Sequence, residues 1–360
     1  MTTHYEVDGK MIKGGEQVEV RSKAEILATL DKSGTLDGMP FMPQMFDYCG
    51  QRFTVYKNAY KTCDTVSGKY IGLHLDDTVH LPIRCDGKAF DGCQAACLLF
   101  WRTAWLKPAT PSGDASAAPV PFPSRSCTEA DVSAGTSREV DGRKLYRCQA
   151  TCLLEFTRPM AWWDVRQYAD AYRSGNWSIA QILRGLTFLG YTYGTRAHRR
   201  KIGAPARWLY NKARFLWGGV PFPRRPDLFP QKKTATSNAV LDLKPGEFVR
   251  VKSFEDILAT LGKDGSHRGL MFDAELVPYC GKVFRVMTRV ERFVDEACGE
   301  MRSLKTPAVI LDGVVCQSKY SGQRMFCPRE IYSWWREAWL ERVEPMALAQ
   351  HDDVQRKSAA

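Results

Sequence analysis

The sequence GEQVEVRSKAEILATLDKSG, residues 15–34, returns as GEFVRVKSFEDILATLGKDG, residues 246–265, with 12 of 20 positions identical. The match continues without a gap at a constant offset of 231 residues, through Tyr48-Cys49-Gly50 and Tyr279-Cys280-Gly281. After a three-residue insertion it resumes with Trp-Arg pairs at positions 101–102 and 335–336. Agreement at fixed spacing over this length indicates a duplicated structural unit, with two copies of roughly 95 residues each.

Each copy shows the same succession of local patterns. Val18 and Val20 alternate with charged residues, which is typical of a half-buried strand, and the second copy repeats the alternation. Short helices are predicted at Lys23–Leu30 and Phe254–Leu261, each stopped by a glycine. The order of strand, helix, further strands and a tryptophan-rich end predicts a small, bent antiparallel barrel. The opening strand resembles the GDxVxV strand of SH3-like barrels.

The predicted fold class is therefore α+β and mainly β, with tandem duplicated SH3-like barrels and a helical insert between them. The N-terminus has no apolar stretch typical of a signal peptide, and no apolar segment reaches the length of a membrane span. We therefore expect a cytoplasmic protein, in which the thiols stay reduced. The predicted organisation is an N-terminal tail (1–14), barrel repeat 1 (15–107), a Pro/Ala linker (108–126), a Cys segment (127–157), a basic aromatic helical insert (158–235), barrel repeat 2 (236–343) and a C-terminal tail (344–360).

Several short motifs carry a resemblance to a known group of proteins. They are KTCD (61–64), RCDG (84–87) and GCQAAC (92–97) in copy one, and FCPREIYSWWREAWLERV (326–343) in copy two. Together with the duplication, they resemble a bacterial family of two-copy proteins rich in cysteine and tryptophan. Some members accompany genes for surface polysaccharides, which implies a biosynthetic context. The resemblance implies no catalytic residue.

The insert holds the whole charge excess of the chain. Residues 158–233 contain 15 Lys and Arg and only 3 Asp, a net charge of +12, whereas the full chain has 51 basic and 40 acidic residues, a net +11. The remainder is therefore close to neutral. The insert also has helical periodicity, which predicts helices over Trp163–Arg173 and Trp177–Tyr193 and a third that begins near Pro205.

Three interpretations of this basic, aromatic insert stay open. Its helices could pack on the barrels while arginine stems reach water, it could bind an anionic membrane face, or it could bind nucleic acid. Membrane binding ranks ahead of nucleic-acid binding because no recognisable nucleic-acid-binding motif accompanies the basic residues of the insert. The residues predicted to contact an anionic surface are Arg196, Arg199, Arg200, Lys201, Arg207, Lys212 and Arg214.

The cysteines of copy one are the main candidates for chemistry. Cys63, Cys85 and Cys93, with Cys97 or His80 as fourth ligand, form a predicted site for zinc, and a set of four thiolates would also suit iron–sulfur chemistry. The alternative is that these cysteines pack as small buried hydrophobes. A reactive cysteine is a further alternative, although no local signature joins a base to a thiol.

Three of the cysteines look like the first residues of helices. Cys327 is followed by proline and then by a polar and aromatic run, and Cys93 and Cys148 begin similar segments. We therefore predict that these thiols cap helix N-termini, where the helix dipole would stabilise thiolates. The four-residue spacing of Cys93 and Cys97 would then place both thiols on one helical face.

The function predicted from the sequence is that of an accessory or scaffold protein. Its barrels would bind a protein partner, and its insert would bind an anionic surface, in polysaccharide or other biosynthesis. The alternative is a biosynthetic enzyme that uses a thiolate-bound metal or a reactive cysteine in repeat 1. No P-loop, dinucleotide fingerprint, HExxH or GxSxG motif is present, which removes the common enzyme classes that carry them.

Overall fold

The computed structural model describes residues 11–69, 71–109, 127–161, 163–197, 240–262, 264–320 and 324–343, together with positions 205, 208, 209, 212 and 220. The predicted Pro/Ala linker lies almost wholly outside the described residues, as do most of the N-terminal tail and all of the C-terminal tail.

The fold is mixed α/β with more strand than helix. Five α-helices can be given bounds among the described residues: α1 (Lys23–Thr29), α2 (Glu129–Ala134), α3 (Arg166–Arg173), α4 (Ile179–Ala197) and α5 (Phe254–Thr260); short 3-10 helices lie between some of the strands. The strands are β1 (Gln17–Val20), β2 (Thr35–Leu36), β3 (Met39–Pro40), β4 (Arg52–Thr54), β5 (Lys57–Asn58), β6 (Lys61–Cys63), β7 (Gly72–His74), β8 (Thr78–Arg84), β9 (Leu98–Arg102), β10 (Leu106–Pro108), β11 (Ser137–Val140), β12 (Arg143–Tyr146), β13 (Arg158–Met160), β14 (Phe248–Val251), β15 (Ser266–His267), β16 (Leu270–Met271), β17 (Val283–Val294), β18 (Met301–Val315), β19 (Tyr332–Trp335) and β20 (Leu340–Arg342).

The chain divides into two compact units. The first comprises Met1–Leu186, Arg292–Ser303 and Gln317–Ile331, and the second comprises Thr187–Glu291, Leu304–Cys316 and Tyr332–Ala360. The first unit therefore includes two short segments from the second copy of the repeat.

Small antiparallel sheets build each unit. The first unit has three-stranded sheets in the orders β10-β1-β4, β5-β8-β9 and β13-β7-β6, and the second is organised on the order β19-β18-β17-β14-β20. None of the sheets in the described part of the chain closes into a barrel, so the predicted SH3-like barrels are not confirmed. Most strands of the first unit have only two to five residues. The register of β8 against β9 also shifts between His80 and Arg84. Both features interrupt the continuous hydrogen-bonded ladder that a closed barrel needs.

Locally, the predicted elements of each copy are confirmed. The alternating valines lie in β1, and Ser22 caps α1 by accepting a hydrogen bond from the backbone N–H of Glu25. Matched contacts recur in the two copies. Trp105 Nε1 donates to Thr29 Oγ1 at 3.1 Å, and the matched pair in copy two, Trp339 and Thr260, does the same at 3.0 Å.

The helix starts predicted at three cysteines are wrong. The residues after Cys93 and Cys148 form turns and irregular backbone, and those after Cys327 lead into β19. Ala96 and Glu330, at matched positions of the two copies, adopt left-handed backbone with φ of 50° and 45°. A left-handed residue breaks the α pattern within the first turn after Cys93 and Cys327, so no α-helix begins at these two thiols. Cys148 is followed instead by a turn and by a short 3-10 helix over Leu153–Glu155.

In the insert, α3 and α4 confirm the first two predicted helices. Most of the third helix lies outside the described residues. Of the predicted surface-binding residues, Lys212 is exposed and Arg196 lies in α4 with its side chain not described, while Arg199, Arg200, Lys201, Arg207 and Arg214 fall outside the described residues. Within the part of the chain that the structure describes, no helix is long and apolar enough to cross a membrane.

Candidate functional site

Two buried thiols meet in the first unit. Cys63 closes strand β6 and is 6% exposed, while Cys327 is 3% exposed. The thiol of Cys327 donates a hydrogen bond to the sulfur of Cys63. The pair joins one cysteine from each copy of the repeat. Copy two has Val294 at the position that matches Cys63, so its own matched residues cannot form an equivalent pair.

Lys61 holds the chain segment that carries Cys327. This lysine is 1% exposed, and its Nζ donates to Oε1 of Gln167 and to the carbonyl oxygen of Met325, both at 2.7 Å. Burial lowers the pKa of Lys61 from 10.5 to about 8, against the opposing effect of the nearby sulfurs of Cys327 and Cys63. Lys61, two positions before Cys63, therefore fixes the backbone at Met325, two positions before Cys327.

Phe326 holds the same segment through packing. The hydroxyl of Tyr60 donates to the Phe326 carbonyl oxygen at 2.9 Å, and the Phe326 ring lies 5.2 Å from the ring of Trp177. Gly185 in α4 approaches so closely that a Cβ there would lie 2.4 Å from Cζ of Phe326. Only glycine allows this approach. The helical insert thus takes part in placing Cys327.

Arg329 brings a buried positive charge beside the pair. Its side chain is 2% exposed, its Nη2 donates to both carboxylate oxygens of Glu296 at 3.1 Å, and its Nη1 donates to Oγ1 of Thr65 at 2.9 Å. The hydroxyl of Thr65 donates in turn to Glu296. Burial disfavours the charged guanidinium, but Glu296 and the nearby sulfurs, including that of Cys63, raise the pKa of Arg329 above its ordinary value.

These neighbours make Cys63 an acidic thiol. The hydrogen bond from Cys327 is the main cause that lowers the pKa of Cys63 from 9.0 to about 6, with burial opposing it and Arg329 and Arg324 adding to it. The thiolate is the nucleophilic form of cysteine. The environment of Cys63 therefore favours its thiolate form, with a second thiol hydrogen-bonded to it.

Four further cysteines surround a small cavity in the same unit. The cavity has a volume of about 30 Å³, and its wall includes Cys85, Cys93, Cys97 and Cys148 among mainly apolar groups. Arg329 also forms part of the wall. The buried guanidinium is therefore an electrostatic neighbour of Cys63 and a lining residue of the cavity.

A tight turn shapes this cavity. Gly87 has a φ of +72°, and a Cβ at this position would lie 1.9 Å from the carbonyl oxygen of Cys93. Glycine is thus required for the loop that folds Cys93 back toward Cys85. The sulfur of Cys93 accepts a hydrogen bond from the backbone N–H of Val294 at 3.3 Å, and Gln44 Nε2 donates to the sulfur of Cys85 at 3.2 Å.

Burial disfavours the thiolate form of three of the cavity cysteines. Burial raises the pKa of Cys85 to about 12 and that of Cys148 to about 11, and it raises the pKa of Cys97 well above its ordinary value. Uncompensated desolvation disfavours the charged form of any acid. These cysteines therefore pack as small, weakly polar groups.

The structure separates the residues predicted to bind zinc or iron. Cys85, Cys93 and Cys97 line the cavity, whereas Cys63 contacts Cys327. His80 is fully buried, and its Nδ1 donates to the carbonyl oxygen of Leu99 at 2.9 Å, while burial lowers its pKa to about 3. Within the described residues, no group of three or more His, Cys, Asp or Glu side chains is arranged to hold a metal ion. Metal binding stays a prediction.

Sequence reasoning missed the groups that give the pair its chemistry. It named Cys63 but not its contact with Cys327, and it did not consider Arg329, Glu296 or Lys61 as parts of a site. One signal was present, because a basic residue lies two positions before Cys63 and another two positions after Cys327.

No protein-family model matches this sequence, and neither a curated protein nor a solved structure matches it. The function is therefore argued from the residues of the site.

Proposed function

We propose that this protein acts as a dithiol–disulfide redox protein through the pair Cys63 and Cys327. The observation that carries the proposal is the hydrogen bond from the Cys327 thiol to the Cys63 sulfur beside the buried guanidinium of Arg329. This is the reactive-cysteine alternative of the sequence analysis, with a second thiol supplied by the other copy.

The reaction is a two-electron oxidation of the pair. The sulfurs of the Cys63 thiolate and the Cys327 thiol form one S–S bond, the proton of Cys327 and two electrons leave, and solvent supplies the second proton that the oxidant takes up. A hydroperoxide accepts them and becomes an alcohol or water plus water, or a small disulfide accepts them and becomes two thiols. A dithiol reductant reverses the step by exchange.

The test is peptide mapping of the full chain after oxidation. The reduced protein is treated with diamide, a small thiol oxidant that becomes the hydrazine in the reaction, and remaining thiols are alkylated before proteolysis and mass spectrometry. We expect the peptides of Cys63 and Cys327 to be joined in high yield. Recovery of both residues as alkylated thiols, with other cysteines oxidised first, would contradict the proposal.

Matched variants separate this reaction from general oxidation of thiols. Cys63→Ser removes the acidic thiol and should leave Cys327 reduced. Cys298→Ser is the control because Cys298 is exposed and its neighbour is Arg302, which donates to its sulfur at 3.6 Å. The control variant should form the Cys63–Cys327 disulfide at the wild-type rate.

A second candidate function is the binding of an anionic membrane surface by an accessory protein. The observation that favours it is a set of exposed apolar side chains on the described part of the insert, with Trp163 69% exposed. Apolar side chains beside a basic segment are typical of surfaces that adsorb to anionic bilayers. The other members of the set are Val165, Tyr172, Ile179, Leu183 and Leu186.

Vesicle sedimentation tests this second function. The wild-type chain should bind vesicles that contain phosphatidylserine and not vesicles of phosphatidylcholine alone. Neutralising Arg199, Arg200 and Lys201 should weaken binding about 100-fold, because each basic residue near such a surface contributes about 1 kcal/mol. Three exposed basic residues outside the insert serve as the control set: Lys69, Lys88 and Arg138. Equal binding by the two variants would contradict the membrane proposal, and a salt-sensitive gel shift would favour nucleic acid instead.

A further inference from the structure

We propose that Cys85 and Cys97 form a second redox site, a disulfide across the adjoining ends of strands β8 and β9, which exchanges with small disulfides such as oxidised glutathione. The site uses two cysteines other than Cys63 and Cys327, so it goes beyond the proposed function and does not depend on it. Three features of the described residues carry the proposal: the register of the two strands, the cavity beside both cysteines, and the partial exposure of both residues.

The strand register sets Cys85 directly opposite Cys97. Arg84, the last residue of β8, pairs with Leu98, the first residue of β9. One step further, the backbone N–H of Cys85 donates to the carbonyl oxygen of Cys97 at 2.8 Å, so the antiparallel pairing continues through the two cysteines. Side chains of opposite residues in such a pair share one face, and their Cα atoms lie about 5.5 Å apart. That separation is within the range of about 4.4 to 6.8 Å that a disulfide spans.

The backbone around the two cysteines is held without a disulfide. Nη1 of Arg84 donates to the carbonyl oxygen of Ala96 at 3.1 Å, which links the residues that precede the two cysteines. Between the cysteines, the N–H groups of Phe90 and Gly92 donate to the carbonyl oxygen of Gly87 at 2.9 and 3.0 Å. The loop is therefore already closed, and formation of the bond requires rotation of side chains rather than folding of the loop.

The cavity gives the two sulfurs room to rotate. Cys85 and Cys97 both line it, and its volume of about 30 Å³ is roughly twice the minimum that one water molecule occupies. In a close-packed interior, a side chain that changes rotamer displaces its neighbours at a cost in free energy. Beside a cavity, the two cysteine side chains can turn toward each other without that cost.

Both cysteines are also within reach of a small reagent. Cys85 and Cys97 are partly exposed, whereas Cys63 and Cys327 are buried. Thiol–disulfide exchange requires the attacking sulfur to be accessible to the disulfide. Partial exposure therefore allows a small disulfide to approach one sulfur of the cavity pair.

Only copy one of the repeat carries this pair. Cys316 matches Cys85, but Ile331 matches Cys97. A matched pair of thiols is therefore impossible in copy two. An apolar residue at the matched position also indicates that the site tolerates a side chain without a thiol, which makes Cys97 suitable for substitution.

The exchange balances in two steps. One thiol of the pair loses its proton to solvent and attacks a sulfur of the small disulfide, which gives a mixed disulfide and one small thiolate. The other thiol then loses its proton and attacks the protein sulfur of the mixed disulfide, and the second small thiolate leaves. Both small thiolates take up protons, so two electrons pass from the cysteines to the small disulfide. Because burial raises the pKa of Cys85 and Cys97, this exchange is slower than that of an acidic thiol.

The experiment maps disulfides in the full reduced chain carrying Cys298→Ser, which removes an exposed thiol. The folded chain is incubated with excess oxidised glutathione until its total thiol content stops falling, and it is then alkylated, digested and analysed by mass spectrometry. Trypsin cleaves after Lys88 and so separates Cys85 from Cys97, while fragmentation of the linked peptide distinguishes Cys97 from Cys93. We expect Cys85 and Cys97 to be joined in most molecules.

Two variants test whether the register of the strands selects the partner. Cys97→Ala should leave Cys85 as a free thiol or as a mixed disulfide with glutathione. Cys148→Ala is the matched control, because Cys148 lines the same cavity, and this variant should form the Cys85–Cys97 bond in wild-type yield. Thermal denaturation confirms that both variants are folded before their disulfides are compared.

The outcomes separate this inference from the proposed function. Recovery of Cys85 and Cys97 as alkylated thiols, or as separate mixed disulfides with glutathione, would overturn the inference. Linkage of Cys85 to Cys93 or Cys148 would also overturn it, because the strand register would then not determine the partner. The Cys63–Cys327 disulfide is sought separately in the diamide-treated protein, so either proposal can fail while the other stands.

Discussion

Two groups of cysteines in the first unit differ in their surroundings: Cys63 and Cys327 are buried as a pair, whereas the cavity cysteines are partly buried among mainly apolar groups. Cys63 has its pKa lowered to about 6, whereas burial raises the pKa of Cys85 to about 12 and that of Cys148 to about 11. The difference lies in the partners: Cys63 accepts a hydrogen bond from Cys327 and has a fixed guanidinium nearby. Burial raises the pKa of a thiol and keeps it unreactive unless neighbouring groups compensate the charge of the thiolate. Where they do, the thiolate is the stable form at that one position.

The largest effect should come from removing the charge that distinguishes the two groups. Arg329→Leu leaves Glu296 and the Cys63 thiolate without their partner, and we expect a loss of about 3 to 5 kcal/mol in the free energy of unfolding. Urea denaturation at pH 7 measures it. Arg302→Leu is the control because Arg302 is half exposed, and its change should stay within about 0.5 kcal/mol. Similar losses of stability in the two variants would show that the charge of Arg329 is not what distinguishes Cys63 from the cavity cysteines.

The pH dependence of stability should have opposite signs for the two groups. The pKa of Cys63 in the folded protein lies below its ordinary 9.0. Its contribution to the free energy of unfolding is therefore fully present above pH 9 and is lost as the pH falls through about 6. The wild type should therefore gain stability relative to Cys63→Ser between pH 6 and 9. Thermal denaturation across this range measures the difference. A flat or falling difference would contradict the lowered pKa.

For a cavity cysteine, the change in stability with rising pH has the opposite sign. The folded pKa of Cys148 lies above 9.0, so its contribution is present below pH 9 and is lost as the pH rises through about 11. The wild type should lose stability relative to Cys148→Ser between pH 9 and 11. The pKa of the buried Lys61 is influenced by Cys63 and Cys327 rather than by Cys148, so the titration of Lys61 cancels in the Cys148→Ser comparison.

The smallest effect concerns the hydroxyl that supports Arg329. Thr65→Val removes the hydrogen bond that Nη1 of Arg329 donates to the hydroxyl and the one that the hydroxyl donates to Glu296, and it should cost about 1 to 2 kcal/mol. Thr62→Val is the matched control in the same segment, since the buried Oγ1 of Thr62 has no hydrogen-bond partner among the described residues, and this change should be neutral or slightly stabilising. Urea denaturation of both variants compares them. Equal costs would mean that the hydroxyl of Thr65 does not hold the guanidinium.

Much of the local fold could be predicted because its causes lie close together in sequence. The alternation at Val18 and Val20 and the cap at Ser22 act within a few residues, and β1 and α1 follow. The Cys327-Pro328 pattern misled for the same reason. It is a valid local signature for a helix start, but a left-handed Glu330 and the pairing of β19 with β18 override it.

The candidate site could be predicted only in part. Cys63 stood out because copy two lacks the matching thiol, but its partner lies 264 residues further along the chain. Neither residue spacing nor residue type indicates which of twelve cysteines meets which. The partner of Cys63 is set by the packing of the segment that carries Phe326 and Cys327, which no local pattern indicates.

The sequence alone determined the duplication, the local elements of each copy and the concentration of positive charge in residues 158–233. These properties depend on composition and on neighbours within one or two turns of the chain. Only the tertiary structure decided that one cysteine is acidic and that others of the same type are neutral. The pKa of a buried group depends on the charges and hydrogen-bond donors placed around it in space, and here those come from segments far apart in the sequence.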